Sequence, residues 1–490
     1  MFFKSPEYQV RAGAALAGSI VVMLAMILAY QLTHKKSASL VAGLVFAFSP
    51  WLIQFSRMAF ETIFMLMVLM LSLSVFLKWL STKNKWWLYF SGILLGLNVY
   101  TYRPMSLFAP LLVVVLIIFF FKELLKMGVL RVLIWLLMIA IIIVPFLYVT
   151  TIVSADQPRI NQISIFSNPD LPIMVQRNRE VDSSDYSNPQ IGKKATVTSF
   201  FFHSKALSYL SALAGNYYKT FSTQFLFISG DPNGRHSPKN TGELLFVDAI
   251  GLIAGLAVVA RNLKDKRYLL LLALLLLAPI PSDLTVDGAD HASRLMILAG
   301  PLLIIVSLGY TEIVYWIAKE RKHWFVLPLL IGIWLLAVIF YLHQYFIHYP
   351  IESARDYGYG YKQAIEKING LKNDYKEIRL TEKNDPPMLY YLFWSKIPPG
   401  HSPLDLVRPQ FWKSGACSKE VIDKFSPNTV YMLTHTDLYL DFRNGKDKVP
   451  TGIRLLDIIK YPDNEVAYYL ITRDTKNGTP VLADKVSACK

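Results

Sequence analysis

Arg57 and Glu61 stand four residues apart in the stretch SPWLIQFSRMAFE, Ser49–Glu61, which joins two long apolar runs. If the second run is helical, this spacing predicts both residues on one face of its first turn. A charge at the edge of a membrane span costs free energy unless it faces a partner or a watery cavity, which makes the pair a functional candidate. Two more polar stretches carry similar side chains. GDPNGRHSPKNTG is a series of turn formers holding Asp231, Arg235 and His236. SDLTVDGADHASR holds Asp283, Asp287 and Asp290, then His291 and Arg294 three residues apart, where the next helix should begin at Leu295. The acids read as an N-terminal capping series. Arginine and histidine beside the positive end of a helix dipole are unfavourable there without a bound anion. Arg103, in the turn YTYRPM, is one more cation between apolar runs.

Arginine suits phosphate through planar, paired hydrogen bonds. A carboxylate nearby could orient or deprotonate an acceptor hydroxyl while the cations stabilise a departing phosphate. The expected substrate is a lipid-linked phosphate, with Arg57 and Glu61 as catalytic residues. Arg103, Asp231, Arg235, His236, Asp290, His291 and Arg294 are expected to bind phosphate or substrate. For any one of these residues, anchoring to anionic lipid headgroups explains as much. The convergence of three separate loops favours a site.

The elements that must position these loops are membrane spans. The chain has 490 residues, 53% hydrophobic and 17% charged, with mean hydropathy +0.36, which is unlike a soluble protein. Apolar runs at 12–32, 38–54, 60–80, 86–101, 105–121, 131–152, 244–260, 268–281, 296–317 and 324–346 approach the roughly 20 residues that cross a bilayer, the run at 268–281 being short. The fold class is therefore mainly α, a polytopic bundle of about ten spans. GILLG, Gly92–Gly96, has the small-residue spacing of close helix packing.

Net charge is +15, and its placement is topological. Lys35, Lys36, Lys78, Lys83, Lys85, Lys122, Lys126, Arg131, Arg261, Lys264, Lys266, Arg267, Lys319, Arg321 and Lys322 fall on one side, and only Lys4, Arg11, Arg57, Arg103 and Arg294 in the opposite short segments. The positive-inside rule makes the first set cytoplasmic. No basic recognition stripe points to nucleic acid. All three polar loops then lie outside the cytoplasm, as does the long segment 153–243. Within it, Gln176–Lys194 is polar, while Thr198–Phe227 is aromatic, too polar to span, and suited to lying in the interface.

Residues 1–347 read as the membrane domain and 348–490 as a soluble extracytoplasmic α/β domain. In the latter, Tyr361–Leu371 reads as a helix, KEIRLT, TVYMLT and VAYYLIT as strands, and DPPMLYYLFW and KIPPGHSP as turns with an aromatic docking face. Cys417 and Cys489 could pair in an oxidising compartment, but two cysteines make no framework. No external Asp/His group has clear metal-ligand spacing, so no cofactor is expected, and metal dependence is left open.

SPWLIQFSRMAFE, YTYRPMSLFAPLL, FLFISGDPNGRHS and HASRLMILAGPLLIIVSLGY resemble, in that order, segments of the large GT-C glycosyltransferases. The nearest group is the bacterial dolichyl-phosphate-mannose:protein mannosyltransferase-like and aminoarabinose-transferase-like membrane enzymes. The likeness spans most of Glu7–Tyr310, and HYPIESARDYGYGYKQAIEKI resembles the start of that group's outer domain. It implies transfer of a sugar, with inversion, from a polyprenyl-phosphate carrier to an extracytoplasmic acceptor of unknown kind, by a multi-pass protein of the bacterial inner membrane. On the resemblance, Arg57 and Glu61 match the charged pair at the active-site mouth, and His291 and Arg294 the segment near the donor phosphate. The family's first span and the acidic base in its first outer loop have no counterpart here, because Glu7–Arg11 resembles the segment before the second span. An N-terminally truncated record is the expectation. A transporter for lipid-linked sugars, or a membrane-anchored ligand-binding protein, is the alternative. The first predicts charges near the bilayer midplane, whereas here they sit at span ends. The second leaves the four charged residues Arg57, Glu61, His291 and Arg294 without a role.

Overall fold

The computed structural model describes residues 6–153, 162–182, 197–319, 325–371, 373–383, 386–396, 410–412, 425–438, 449 and 452–473. Cys417, Cys489, Lys4, Arg321, Lys322 and most of KIPPGHSP lie outside the described residues. The chain divides into two compact units, Met1–Tyr345 and Phe346–Lys490.

The first unit is helical. It comprises α1 (Pro6–Thr33), α2 (Lys36–Ala47), α3 (Pro50–Arg57), α4 (Thr62–Thr82), α5 (Lys85–Leu97), α6 (Met105–Lys126) and α7 (Val129–Tyr148). Then come α8 (Asp170–Asp182), α9 (Val197–Phe202), α10 (Lys205–Thr220), α11 (Asp248–Arg261), α12 (Lys266–Leu277), α13 (Ile280–Asp283), α14 (Met296–Lys319) and α15 (Val326–His343). Each apolar run is thus helical. Among the described residues six helices are long and apolar enough to cross a membrane, or up to seven if the bent pair α2 and α3 is one span. The expectation of about ten spans, the run at 268–281 being short, is modified at α5, α11 and α12, which have 13, 14 and 12 residues.

The run 38–54 is broken at Ser49. A residue before proline is driven from the helical region, and Ser49 sits at ψ 125° before Pro50. Its hydroxyl caps the new helix by accepting from the Leu52 N–H at 3.5 Å. The two segments meet at 59°. A second break follows at Met58, which is extended at ψ 153°, so Arg57 closes α3 whereas Glu61 precedes α4 at Thr62. They do not share the first turn of one helix, as their spacing had predicted.

α14 is the hub. Its residues Met296–Gly309 are buried all round, as expected of a helix with no polar face in a bundle centre, and α1, α2, α4, α11 and α12 pack on it. Glycine sets the closest approach: a Cβ on Gly255 would lie 1.9 Å from the Ile305 carbonyl oxygen, and one on Gly309 1.9 Å from that of Gly251. The spacing read at Gly92 and Gly96 works the same way, with Trp135 and Ile142 of α7 against them. The basic end carries ion pairs, Lys266 to Glu123 at 2.8 Å and Arg267 to Asp265 at 2.6 Å.

The second unit has helices α16 (Tyr349–Glu352), α17 (Tyr361–Leu371), α18 (Pro387–Trp394) and α19 (His435–Leu438). Its strands are β1 (Glu377–Thr381), β2 (Gln410–Trp412), β3 (Thr429–Leu433), β4 (Ile453–Lys460) and β5 (Val466–Arg473). The sheet order is β2-β1-β3-β5-β4. β1 is parallel to β2 and β3, and β5 runs antiparallel to β3 and β4. The three strands and one helix read from sequence are present; β2 and β4 were passed over. β2 is only three residues long, and IRLLDIIK in β4 shows no clean alternation because the register slips at Leu455/Asp457. Pro387–Trp394, expected as a turn, is a helix with Pro387 in its first turn, where a missing N–H costs nothing.

Candidate functional site

α3 holds two of the polar loops together. Trp51, Gln54 and Phe55 lie on one of its faces by their three- and four-residue spacing, and all three are buried. Trp51 Nε1 donates to the Ala292 carbonyl at 3.1 Å. One turn on, Gln54 Nε2 donates to the Arg235 carbonyl at 2.7 Å, and the Phe55 ring stacks on His236 at 5.8 Å. Phe60, just before α4, meets the same imidazole edge-on at 5.5 Å. The stretch singled out in the sequence thus positions the other two loops through residues other than its charged pair.

Asp231 is the node where those loops meet. Its Oδ2 accepts from the Ala292 N–H at 2.7 Å and lies 2.7 Å from His236 Nδ1 and 3.9 Å from His291 Nδ1. Its Oδ1 accepts from the Asn233 N–H at 2.8 Å, closing the turn locally. The two imidazole rings are 4.8 Å apart, and Ser293 Oγ lies 3.0 Å from His291 Nδ1. Asp231 and His236 are buried. Burial, followed by the neighbouring Arg294 charge, pushes His291 down to about 4, so its ring is neutral at pH 7.

Behind the node is Glu243. Its carboxylate Oε1 accepts from the Asp231 N–H at 3.2 Å, and its backbone carbonyl accepts from the Trp51 N–H at 3.2 Å. It is 1% exposed, and burial together with the Asp231 charge raises its pKa well above the usual carboxylate range. The turn reaches it through Gly230 at φ +64°, where a Cβ would strike Ser237. Glu243, Gln54, Trp51 and Ser293 were missed in the sequence. The available signals were one amide inside an apolar run and one acid abutting the next.

Arg294 Nη1 pairs with Asp287 and also donates to Thr285 Oγ1 at 2.8 Å. Burial alone would raise the Asp287 carboxyl, but the Arg294 guanidinium holds it below its ordinary value. α14 starts at Met296, and Asp283 closes α13. The acids of this loop therefore do not cap α14 as expected: one is a partner for Arg294, and another is buried. Asp283 donates nothing when ionised; its Oδ1 accepts from Thr220 at 3.3 Å, while its buried Oδ2 has no hydrogen-bond partner among the described residues. Burial pushes it up to about 7. Asp290 is half-buried in the same loop.

Among the described residues, no other expected residue bonds to Asp231. Arg57 is exposed, with its guanidinium 5.0 Å from the Tyr345 ring centroid. Glu61 and Arg103 are exposed, and Arg235 is half-buried, its carbonyl accepting from Gln54. Asp231, His236 and His291 each offer one ligand atom, all within 4.8 Å of one another. One carboxylate and two imidazoles form a donor set that divalent zinc accepts, but a cation would have to replace the Asp231–His236 hydrogen bond. What the arrangement can do as it stands is hold a neutral imidazole beside a carboxylate-backed one, next to a guanidinium.

Residues 1–156 match the family model described as dolichyl-phosphate-mannose-protein mannosyltransferase. Over that stretch the chain is similar to the mannosyltransferase family. Over residues 1–156 the resemblance carried by the motifs around Arg57, Glu61 and Arg103 is borne out. No curated protein matches the chain. Among solved structures, the crystal structure of ArnT from Cupriavidus metallidurans in the apo state is similar at 12% identity and TM-score 0.37, over 95% of this chain and 85% of that one. That likeness is too slight to argue from.

Proposed function

We propose that the protein transfers a sugar from a polyprenyl-phosphate donor to an acceptor hydroxyl outside the cytoplasm of a bacterium, at the end of the bundle where α3 joins the two polar loops. The observation that supports this most is the meeting of Asp231, His236 and His291, from segments about sixty residues apart in the chain, on one carboxylate oxygen beside Arg294. In the reaction the acceptor oxygen forms a bond to the sugar's anomeric carbon as the bond from that carbon to the phosphate oxygen breaks. The acceptor proton passes to a base, and polyprenyl phosphate leaves. Attack opposite to the leaving group gives inversion. Arg294, with Arg57 and Arg103 at the mouth, serves the phosphate charge. Glu61 is the proposed base, and His236 is a second candidate, because the Asp231 carboxylate on Nδ1 orients the imidazole and leaves Nε2 as the ring's acceptor. Membrane lipids surround the site; the acceptor is a protein, lipid or envelope glycan.

The test is to incubate the purified full-length protein in lipid with radiolabelled polyprenyl-phosphate hexoses and pentoses. Time-dependent consumption of one donor, with release of polyprenyl phosphate, is expected. Failure to consume any of them would exclude the reading.

A further inference from the structure

Among the described residues, Arg294 is held through one nitrogen. Its Nη1 carries two protons, and both are used, one by Thr285 Oγ1 at 2.8 Å and the other by Asp287 Oδ1. Nε and Nη2 have no hydrogen-bond partner among the described residues, and neither atom is sealed from solvent. The side chain as a whole is 15% exposed. That open edge carries the parallel N–H groups with which arginine takes two oxygens of a phosphate. Asp287 is 62% exposed, so solvent screens the charge it sets against the guanidinium.

Thr285 is itself fixed from two sides. Its hydroxyl donates its one proton to the Ser282 carbonyl at 2.7 Å, which leaves its lone pairs to accept from Arg294. Its carbonyl accepts from Asn216 Nδ2 at 3.0 Å, and the same amide donates to the Asp283 carbonyl at 3.0 Å. Asn216 belongs to α10 and stands 69 residues earlier in the chain. From another segment, the Ile165 N–H donates to the Leu284 carbonyl at 3.0 Å, and the Val286 N–H to the Ile163 carbonyl at 2.8 Å. The backbone is therefore clamped on both sides of Thr285. A turn that merely closed on itself would use neither distant segment.

We propose that Thr285, held in place by Asn216, is a positioning residue: it sets the Arg294 guanidinium so that the Nε–Nη2 edge takes two oxygens of a prenyl-linked monophosphate. A guanidinium already fixed gives up less rotamer freedom on binding, so affinity depends on Thr285 although Thr285 touches no ligand. The inference rests on the reading of this site as one for a polyprenyl phosphate.

Isothermal titration of farnesyl phosphate into the full-length protein in phosphatidylcholine nanodiscs tests it, with farnesol as the uncharged control. Farnesyl phosphate should bind about ten-fold more tightly than farnesol, and Arg294→Ala should remove most of that difference. Thr285→Val, which keeps the shape and loses the acceptor, should weaken farnesyl phosphate about five-fold, and Asn216→Leu about three-fold. Thr285→Ser, which retains the hydroxyl, should stay within about two-fold of wild type. In an Arg294→Ala background neither Thr285→Val nor Asn216→Leu should weaken binding further, because both act through the guanidinium. A defect of the fold would instead weaken farnesol as well, in both backgrounds. Equal losses in the two backgrounds would overturn the proposal. So would wild-type affinity in Thr285→Val or Asn216→Leu, no recovery in Thr285→Ser, or equal binding of phosphate and alcohol. Coupled phosphate binding with no sugar consumed would remove the transfer reading alone. Sugar consumption without the coupling would remove this inference alone.

Discussion

At the scale of single residues, charge and its support are divided between different side chains. Arg57→Ala, Glu61→Ala and Arg294→Ala should each reduce donor consumption by about 10²–10³-fold, the usual effect of removing a group that serves transition-state charge. Membrane insertion should be unaffected, and wild-type turnover in all three would remove these roles. Glu243 acts through Asp231. Glu243→Ala leaves the Asp231 N–H buried without its acceptor, so it should destabilise the protein by about 1–3 kcal/mol in thermal unfolding and reduce donor consumption. Glu243→Gln retains the acceptor and should stay near wild type in both. His291 gives a pH dependence. Its folded value of about 4 lies below the ordinary histidine value, so its contribution to stability is fully present above about pH 6.5 and is lost as pH falls toward 4. Its imidazole resonances, followed by NMR, should titrate near 4 and not near 6.5.

At the scale of elements, the break at Ser49–Pro50 and the glycine contacts determine where the loops can meet. The bend turns Trp51, Gln54 and Phe55 toward the segments of His236 and Ala292. Gly255→Val would place a branched side chain where a single Cβ already lies 1.9 Å from a backbone oxygen. Backbone cannot yield as a flexible side chain can, and overpacking of this kind costs about 1–3 kcal/mol or more. The melting temperature of the purified protein should drop, whereas Gly332→Ala, in α15 with nothing within 4 Å, should not lower it. Gly255 was not singled out in the sequence, although its spacing from Gly251 equals that of Gly92 and Gly96. A small-residue pair shows which helix allows close approach and says nothing of the partner that takes it up.

At the scale of the whole molecule, the distribution of Lys and Arg sets the expected orientation. Cysteines placed at Lys83 and Asn240 should react with an impermeant maleimide from opposite sides of sealed vesicles, Asn240→Cys from the outside. Labelling of both from one side would reverse the topology. The helical class, the membrane residence, the principal strands of the second unit and the three polar loops were all legible, because hydrophobic runs and charge placement are written along the chain. Pairing was not. Whether Arg57 joins Glu61 depends on a break at Met58 that no proline or glycine marks, and whether Asp231 meets His291 depends on a tryptophan and a glutamine whose partners are 241 and 181 residues away. Periodicity reports the solvent each element needs, and that much a linear string determined for this protein. Which side chains share a carboxylate oxygen, and which buried acid lacks a donor, are properties of contacts between distant segments, so only the tertiary structure decided them.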